Sequence, residues 1–380
     1  MAAENGSEPV RGVPDAAARL FTDAERLARS ITREYSQGLA LTELAETVAA
    51  ADPDRAECIA RSITDESRKA WTLSGVATAV AATDPGRAAR LLADAERVVE
   101  SVTGEDEKAW AFGCLATAVA AADPDRAERI ARSITDEIRK ARALYDIAQA
   151  VAAADPGRGE RIARSVTDES LKAMALGGVA GAVAAADPGC AARLFADAEG
   201  VARSVPGEDE QAWSLARVAE RAAAADPGRA ERIARSVTDK FWKAWALRIV
   251  AAAVAAADPG RAARLLADAE RIARSVNDEV EQTWVLSDIA ATVTAADPER
   301  AARLLADAER IARSNADQHV QGPALRHVAK AVAAADPGRA ERIARSITDE
   351  YWKTAALIAV GRVTAAANPY QAATSEGYHI

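Results

Sequence analysis

A proline after a short polar or acidic residue recurs down this chain at Pro53, Pro85, Pro124, Pro156, Pro188, Pro227, Pro259, Pro298, Pro337 and Pro369, with Pro14 as a looser first member. The intervals take only two values, 32 and 39 residues. Self-similarity at a fixed period of about 20 to 50 residues marks a stacked-repeat architecture, in which one unit cannot bury its apolar face alone. Whole phrases recur, such as AlaAspProGlyArgAlaGluArgIleAlaArgSer before both Val237 and Ile347. The repeat leaves little room for any other fold.

Each Asp-Pro reads as a helix start, because the Asp side chain caps free backbone N–H groups and proline at the first helical position needs no donor. This helix A runs in a short repeat from Pro124 to about Ile134, with Ala127, Ile130, Ala131 and Ile134 at helical spacing. A turn of Thr135, Asp136 and Glu137 then caps helix B, which continues through Ala141, Leu144, Ile147, Ala148 and Val151. The expected fold is all-α: a solenoid of ten helix-turn-helix repeats, with a right-handed superhelix. The long repeats carry seven extra residues in helix A, as at Leu265 to Arg271. Seven residues are nearly two helical turns, adding about 10 Å and turning the apolar stripe by only about 20°. Stacking leaves the two ends without a partner. The last helix B, with Arg362 and with Thr364 where most repeats have Val, reads as adapted to that role. The domain reading is a disordered segment over 1–12, one repeat domain over 13–368 and a tail over 369–380.

Composition narrows the function classes. Apolar residues make up 49% of the 380-residue chain but aromatics only 4%, so alanine dominates and helices can pack closely. The Ala- and Arg-rich usage also fits a GC-rich bacterial genome. A formal charge of −9 argues against a nucleic-acid or anionic-membrane partner, which needs a basic footprint. Three cysteines without paired spacing indicate neither disulfides nor zinc. With no apolar leader or membrane-length stretch, the expected location is cytoplasmic.

Trp71, Leu73, Gly75 and Ala88 follow one another in an order repeated in part by Trp213, Leu215 and Ala230. This order resembles the tetratricopeptide-repeat-like α-solenoids over residues 14 to 367, although the periods differ from that family's 34 residues. The resemblance implies a protein-binding scaffold whose concave face is lined by the helix matching helix B.

Set side by side, the ten repeats are nearly constant in some columns and free in others. The free columns lie on helix B, at Ser67, Trp71, Ser74, Gly75 and Thr78 in the second repeat, which share one face. The Trp71 column supplies Trp110, Arg142, Met174, Trp213, Trp245 and Trp284, and the Gly75 column supplies Cys114, Asp146, Arg217, Asp288 and His327. Aromatic anchors among Arg and Asp suit a binding surface, since Trp and Arg carry a large share of interface energy. The alternative is that these tryptophans fill gaps between Ala-rich helices. Trp242 and Trp352 fall in the turn before helix B, where partial exposure would suit a partner or lid contact. The candidate binding residues are therefore Trp71, Trp110, Arg142, Asp146, Met174, Trp213, Arg217, Trp245, Trp284, Asp288, Trp242 and Trp352. Arg126, Arg129 and Arg132 read as a salt-bridged solvent face of helix A.

No phosphate loop, metal motif or catalytic constellation is apparent in the sequence. Gly177 to Gly181 reads as close helix packing, and His319, His327 and His379 are isolated. The expectation is no enzyme, no cofactor and no metal. The leading function is a scaffold binding a peptide or partner protein along helix B. The alternatives are sequestration of a small aromatic molecule in a closed cavity, and a self-assembling structural rod. A closed superhelix with a deep apolar cavity would favour sequestration, and an open shallow groove would exclude it.

Overall fold

The computed structural model describes residues 13–366 apart from Ala316, with side chains from Ala16 onward. The segment 1–12, the tail 369–380 and His379 lie outside the described residues.

Twenty α-helices and no strand occur among the described residues. The A helices are α1 (Val13–Ser30), α3 (Pro53–Ser62), α5 (Pro85–Ser101), α7 (Pro124–Ser133), α9 (Pro156–Ser165), α11 (Pro188–Ser204), α13 (Pro227–Ser236), α15 (Pro259–Ala273), α17 (Pro298–Ser314) and α19 (Pro337–Ser346). The B helices are α2 (Glu34–Val48), α4 (Glu66–Val80), α6 (Glu105–Val119), α8 (Glu137–Ala152), α10 (Glu169–Val183), α12 (Glu208–Ala222), α14 (Lys240–Val254), α16 (Glu279–Val293), α18 (Gln318–Val332) and α20 (Glu350–Ala366). The all-α repeat architecture expected from the proline period is the one observed.

Local chemistry sets the boundaries. In α3 Asp52 accepts from Arg55 N with Pro53 at the helix start, and the same cap opens every A helix from α3 to α19. Asp136 accepts from Arg139 N to start α8, as the turn residues imply. The capping Asp also closes the preceding helix, its N–H donating to the Val48 carbonyl at 2.8 Å in the case of Asp52. Long A helices such as α5 and α11 have 17 residues against 10 in short ones.

A helices bury one stripe, such as Ala56, Ile59 and Ala60 in α3, and turn their charges outward. Each B helix packs on A helices and on the B helices of both neighbouring repeats, so its buried positions nearly encircle it. The outward charges are tied across repeats. In seven of the nine A helices from α3 to α19 the Arg at the third position reaches the Glu of the preceding repeat, as in Arg55–Glu25 (2.8 Å), Arg87–Glu57 (2.9 Å), Arg126–Glu96 (2.5 Å) and Arg300–Glu270 (2.7 Å); α11 has Cys190 there, and Arg229 of α13 pairs with Asp226 instead. Arg132 pairs with Glu128 on its own helix. Single exposed pairs of this kind contribute little. Their spacing follows the stacking register set by the buried stripes.

The expectation of two unpartnered ends is overturned. Helix α20 packs against α1 and α2 in the way that each internal B helix packs against the next repeat. Arg345 reaches Asp23 at 2.6 Å, the same pair as Arg61–Asp94 (2.6 Å), Arg164–Asp197 (2.6 Å), Arg235–Asp268 (3.2 Å) and Arg274–Asp307 (2.9 Å) inside the array. The solenoid is a closed ring. Thr364 is accordingly buried, its hydroxyl donating to the Val360 carbonyl, rather than sitting at a free end. Sequence compensation is visible at the seam: a Cβ on Gly361 would lie 2.7 Å from Phe21 Cε1, so glycine makes room for the larger ring.

Candidate functional site: the lumen of the ring

Ten B helices spaced about 9 to 10 Å apart would trace a circle of roughly 15 Å radius, leaving a space of roughly 10 Å radius inside the helices. The free columns identified in the sequence point into that space. Where they carry small side chains, a cavity of about 920 Å³ remains, bounded by α2, α4, α6, α8, α10 and α12. Its floor is made by Gly75, Gly113 and Cys114, and its walls by Trp71, Trp110 and Trp213, with Ile138 and Leu171 toward the N-terminal ends of α8 and α10. Glu46, Asp146, Asp168, Glu210, Arg139 and Arg142 supply its charges. Ile138 is 74% exposed, unusual for a large apolar residue here.

Elsewhere around the lumen large polar side chains project from the B helices. Asp288 accepts from His327 Nε2 at 2.8 Å and lies 3.3 Å from Arg248. Burial would raise the Asp288 pKa, but the His327 hydrogen bond and the charges of His327, Arg248 and Lys330 prevail and hold it below the ordinary value. Arg326 on α18 pairs with Glu43 on α2, across the intervening α20. Arg221 likewise reaches Tyr145 Oη, two repeats away, at 3.4 Å. Arg221 atoms lie 3.5 Å from where Cβ atoms of Gly177 and Gly181 of α10 would be, an ordinary contact, while a Cβ on Gly178 would meet Gln149 at 2.9 Å. The close-packing reading of Gly177 to Gly181 therefore describes their surroundings.

The candidate residues divide between these two regions. Trp71, Trp110, Arg142, Asp146 and Trp213 line the cavity together. Trp71 and Trp110 form an edge-to-face pair with centroids 4.8 Å apart, and Arg142 Nε lies 3.2 Å from Asp146. Arg217, Trp245, Trp284 and Asp288 lie outside the cavity lining: Arg217 stacks on Trp245 at 5.6 Å and pairs with Glu220 at 2.7 Å, and Trp284 sits 6.0 Å from His327. Met174 is 3% exposed and belongs to the core.

Trp242 and Trp352 correct the sequence reading. They are not in a turn but at the third position of α14 and α20, their N–H groups capped by Asp239 and Asp349. That column holds Arg68, Arg139, Leu171 and Glu210 in other repeats. Both tryptophans are half-buried against the core. Trp242 packs on Phe241 and Trp245, and Trp352 occupies space left by Gly322, where a Cβ would meet it at 2.7 Å.

Glu46 and Cys114 were not among the candidates. Glu46 lies in the Thr78 column, whose variation was visible, and its carboxyl comes within 2.6 Å of where a Gly75 Cβ would stand. It is accessible to water yet walled by neighbouring helices, and it has no ion pair or hydrogen bond among the described residues. Burial raises its pKa against the opposing charge of Arg362, with Glu43 adding to the rise. Asp146 is raised by burial despite Arg142. The Cys114 thiol is pushed up to about 12 by burial and by the Asp146 and Glu46 carboxylates. It is a neutral wall atom, not a nucleophile.

No family model matches the chain and no curated protein matches it. Among solved structures the chain is similar to one described as the crystal structure of Ton1535 from Thermococcus onnurineus NA1, with 15% identity over 92% of this chain and 98% of that one, at a TM-score of 0.31. A likeness this low carries no argument about site or function. Among the described residues no helix is long and apolar enough to cross a membrane, and no three His, Cys, Asp or Glu side chains converge as metal ligands.

Proposed function

We propose that this chain is a binding protein that encloses a small amphipathic molecule in the lumen of its helical ring, without catalysing a reaction. The observation that supports this reading is the cavity of about 920 Å³, lined by the columns that vary between otherwise similar repeats. Ligand sites are typically concave spaces of about 300 to 1,000 Å³ with apolar walls and a few placed polar groups. Three tryptophans with Arg142 and Asp146 match that description.

The ring also alters the scaffold reading. A folded partner cannot lie along a face that forms the inner wall, whereas an extended peptide can enter it. The cavity runs from the first turns of α8 and α10 to the C-terminal halves of α2 and α4, which favours a short peptide as the second occupant. The tetratricopeptide-like order of Trp71, Leu73 and Gly75 is in keeping with such a scaffold. A rod assembling through free repeat ends loses its basis, since the ends pair with each other.

The test is a fluorescence and calorimetric screen of amphipathic small molecules and short peptides against the intact chain. Trp71→Ala and Trp213→Ala should abolish the binding of any hit while preserving helical circular dichroism, and Trp284→Ala, outside the cavity, should retain it. Binding that survives both cavity substitutions would place the ligand elsewhere and end this proposal.

A further inference from the structure

We infer that the lumen selects an organic cation, an ammonium or guanidinium group on an apolar body, seated at the tier of Glu46, Cys114 and Asp146 and flanked by the tryptophans. This deepens the ligand-binding reading and rests on it.

The first argument is the charge of the cavity wall. Four carboxylates, Glu46, Asp146, Asp168 and Glu210, face two guanidinium groups, Arg139 and Arg142. Asp168 is engaged as the α10 cap, accepting from Leu171 N at 2.8 Å, and Asp146 holds Arg142 at 3.2 Å. Neither Glu46 nor Glu210 has an ion-pair partner among the described residues. Arg139 does not neutralise Glu46, because it sits at the third position of its helix and Glu46 at the thirteenth. Ten residues correspond to about 15 Å along the helix axis. Arg362, at the same position of the adjacent α20, opposes the Glu46 charge without forming an ion pair with it, so the four carboxylates still outnumber the three guanidinium groups around this wall.

The second argument is the aromatic surface. Tryptophan faces attract cations, most strongly where water is excluded. The Trp71 and Trp110 pair already holds one: Arg68 Cζ lies 5.8 and 5.7 Å from their centroids and 4.8 Å from that of Tyr35. Arg68 is 6% exposed, and its Nη1 has no hydrogen-bond partner. A guanidinium buried against rings without a carboxylate shows that this aromatic group tolerates positive charge. Arg68 occupies the third helical position, so the Glu46 tier lies about two to three turns away, beyond strong repulsion.

The third argument is steric. Gly75, Gly113 and Cys114 keep the floor low at this tier, where other repeats place Arg217, Asp288 or His327. Room for a ligand headgroup exists beside the carboxylate that lacks a partner.

Three probes of similar size separate the classes: benzyltrimethylammonium, benzyl alcohol and benzoate, titrated by calorimetry and tryptophan emission into the intact chain. The ammonium should bind at least about tenfold more tightly than the alcohol, and benzoate more weakly still. Glu46→Gln should weaken the ammonium about tenfold and leave benzyl alcohol unchanged, with Asp146→Asn as a second variant acting in the same direction. Equal or tighter binding of the alcohol or benzoate, or no effect of Glu46→Gln on the ammonium, overturns the cation assignment and leaves the ligand-binding reading standing. Failure of all three probes at millimolar concentration overturns the cation assignment, and failure of the wider small-molecule and peptide screen overturns the ligand-binding reading.

Discussion

Gly361→Ala tests whether the ring is closed in solution. In an isolated helix the substitution is favourable by about 0.8 to 1.0 kcal/mol, because alanine restricts the unfolded chain and glycine does not. In the ring the new Cβ would lie 2.7 Å from Phe21 Cε1 and 3.2 Å from Phe21 Cδ1. Carbon atoms prefer about 3.5 to 4.0 Å, so the ring must retreat by about 1 Å or leave its site. Overpacking of this kind costs about 1 to 3 kcal/mol, which offsets or exceeds the propensity gain. In three of the four other long repeats the equivalents of Phe21 are Leu92, Leu266 and Leu305, with Ala77, Ala251 and Ala290 in the register of Gly361, and in the fourth a buried Phe195 stands with Ala180, which places the expected cost at the lower end of that range. Phe21→Leu with Gly361→Ala should therefore restore stability, giving a coupling of about 1 to 3 kcal/mol in a double-mutant cycle. Urea unfolding followed by circular dichroism measures it, with hydrogen exchange of α1 as the local readout. If Gly361→Ala stabilises the protein, the two substitutions are additive and the amides of α1 exchange as fast as those of an unpacked helix, α1 does not dock on α20.

Gly322→Ala should destabilise by about 1 to 3 kcal/mol and alter Trp352 emission, whereas Gly200→Ala, with nothing within 4 Å of its Cβ position, should stabilise by up to about 1 kcal/mol; thermal melts of both check this. Acid should loosen the inter-repeat ladder. Glu160 is held at about 2 by the hydrogen bond from Arg193, with burial opposing and Arg164 assisting. A depressed carboxyl pKa contributes stability that is full above the ordinary 4.5 and lost as pH falls toward about 2. Glu57 and Glu231 are also lowered, their paired arginines outweighing burial, so a two-probe acid titration should show ellipticity falling within that window. Glu46 has the opposite sign: the fold disfavours its charged form, so Glu46→Gln should raise the melting temperature at pH 7 or leave it unchanged, and a fall would contradict the absence of a partner.

The hairpin, its caps and the seven-residue extension were legible because each depends on residues close in sequence. Asp136 caps Arg139 N, three residues away, and needs no knowledge of neighbouring repeats. Ring closure was not legible, since it depends on small rotations summed over ten junctions. Its traces were present all the same, in Gly361 facing Phe21 and in Asp23 matching Asp94 and Asp268. The lumen face was legible as varying columns. The ion pairs that span two repeats were not, because they depend on which side chains reach past a neighbour. Arg326 on α18 pairs with α2, and Arg221 on α12 bonds to α8, each across an intervening B helix that no local sequence pattern specifies.

An open array can gain or lose a unit at either end and keep every remaining junction, so copy number drifts easily in such proteins. Here ten junctions share one full turn, about 36° each, and an eleventh unit would require every one to relax to about 33°. Duplication of a single hairpin would therefore strain the whole molecule instead of lengthening it. Variation in this architecture is confined to the height of individual A helices and to the lumen-facing columns, which can change without altering the circumference.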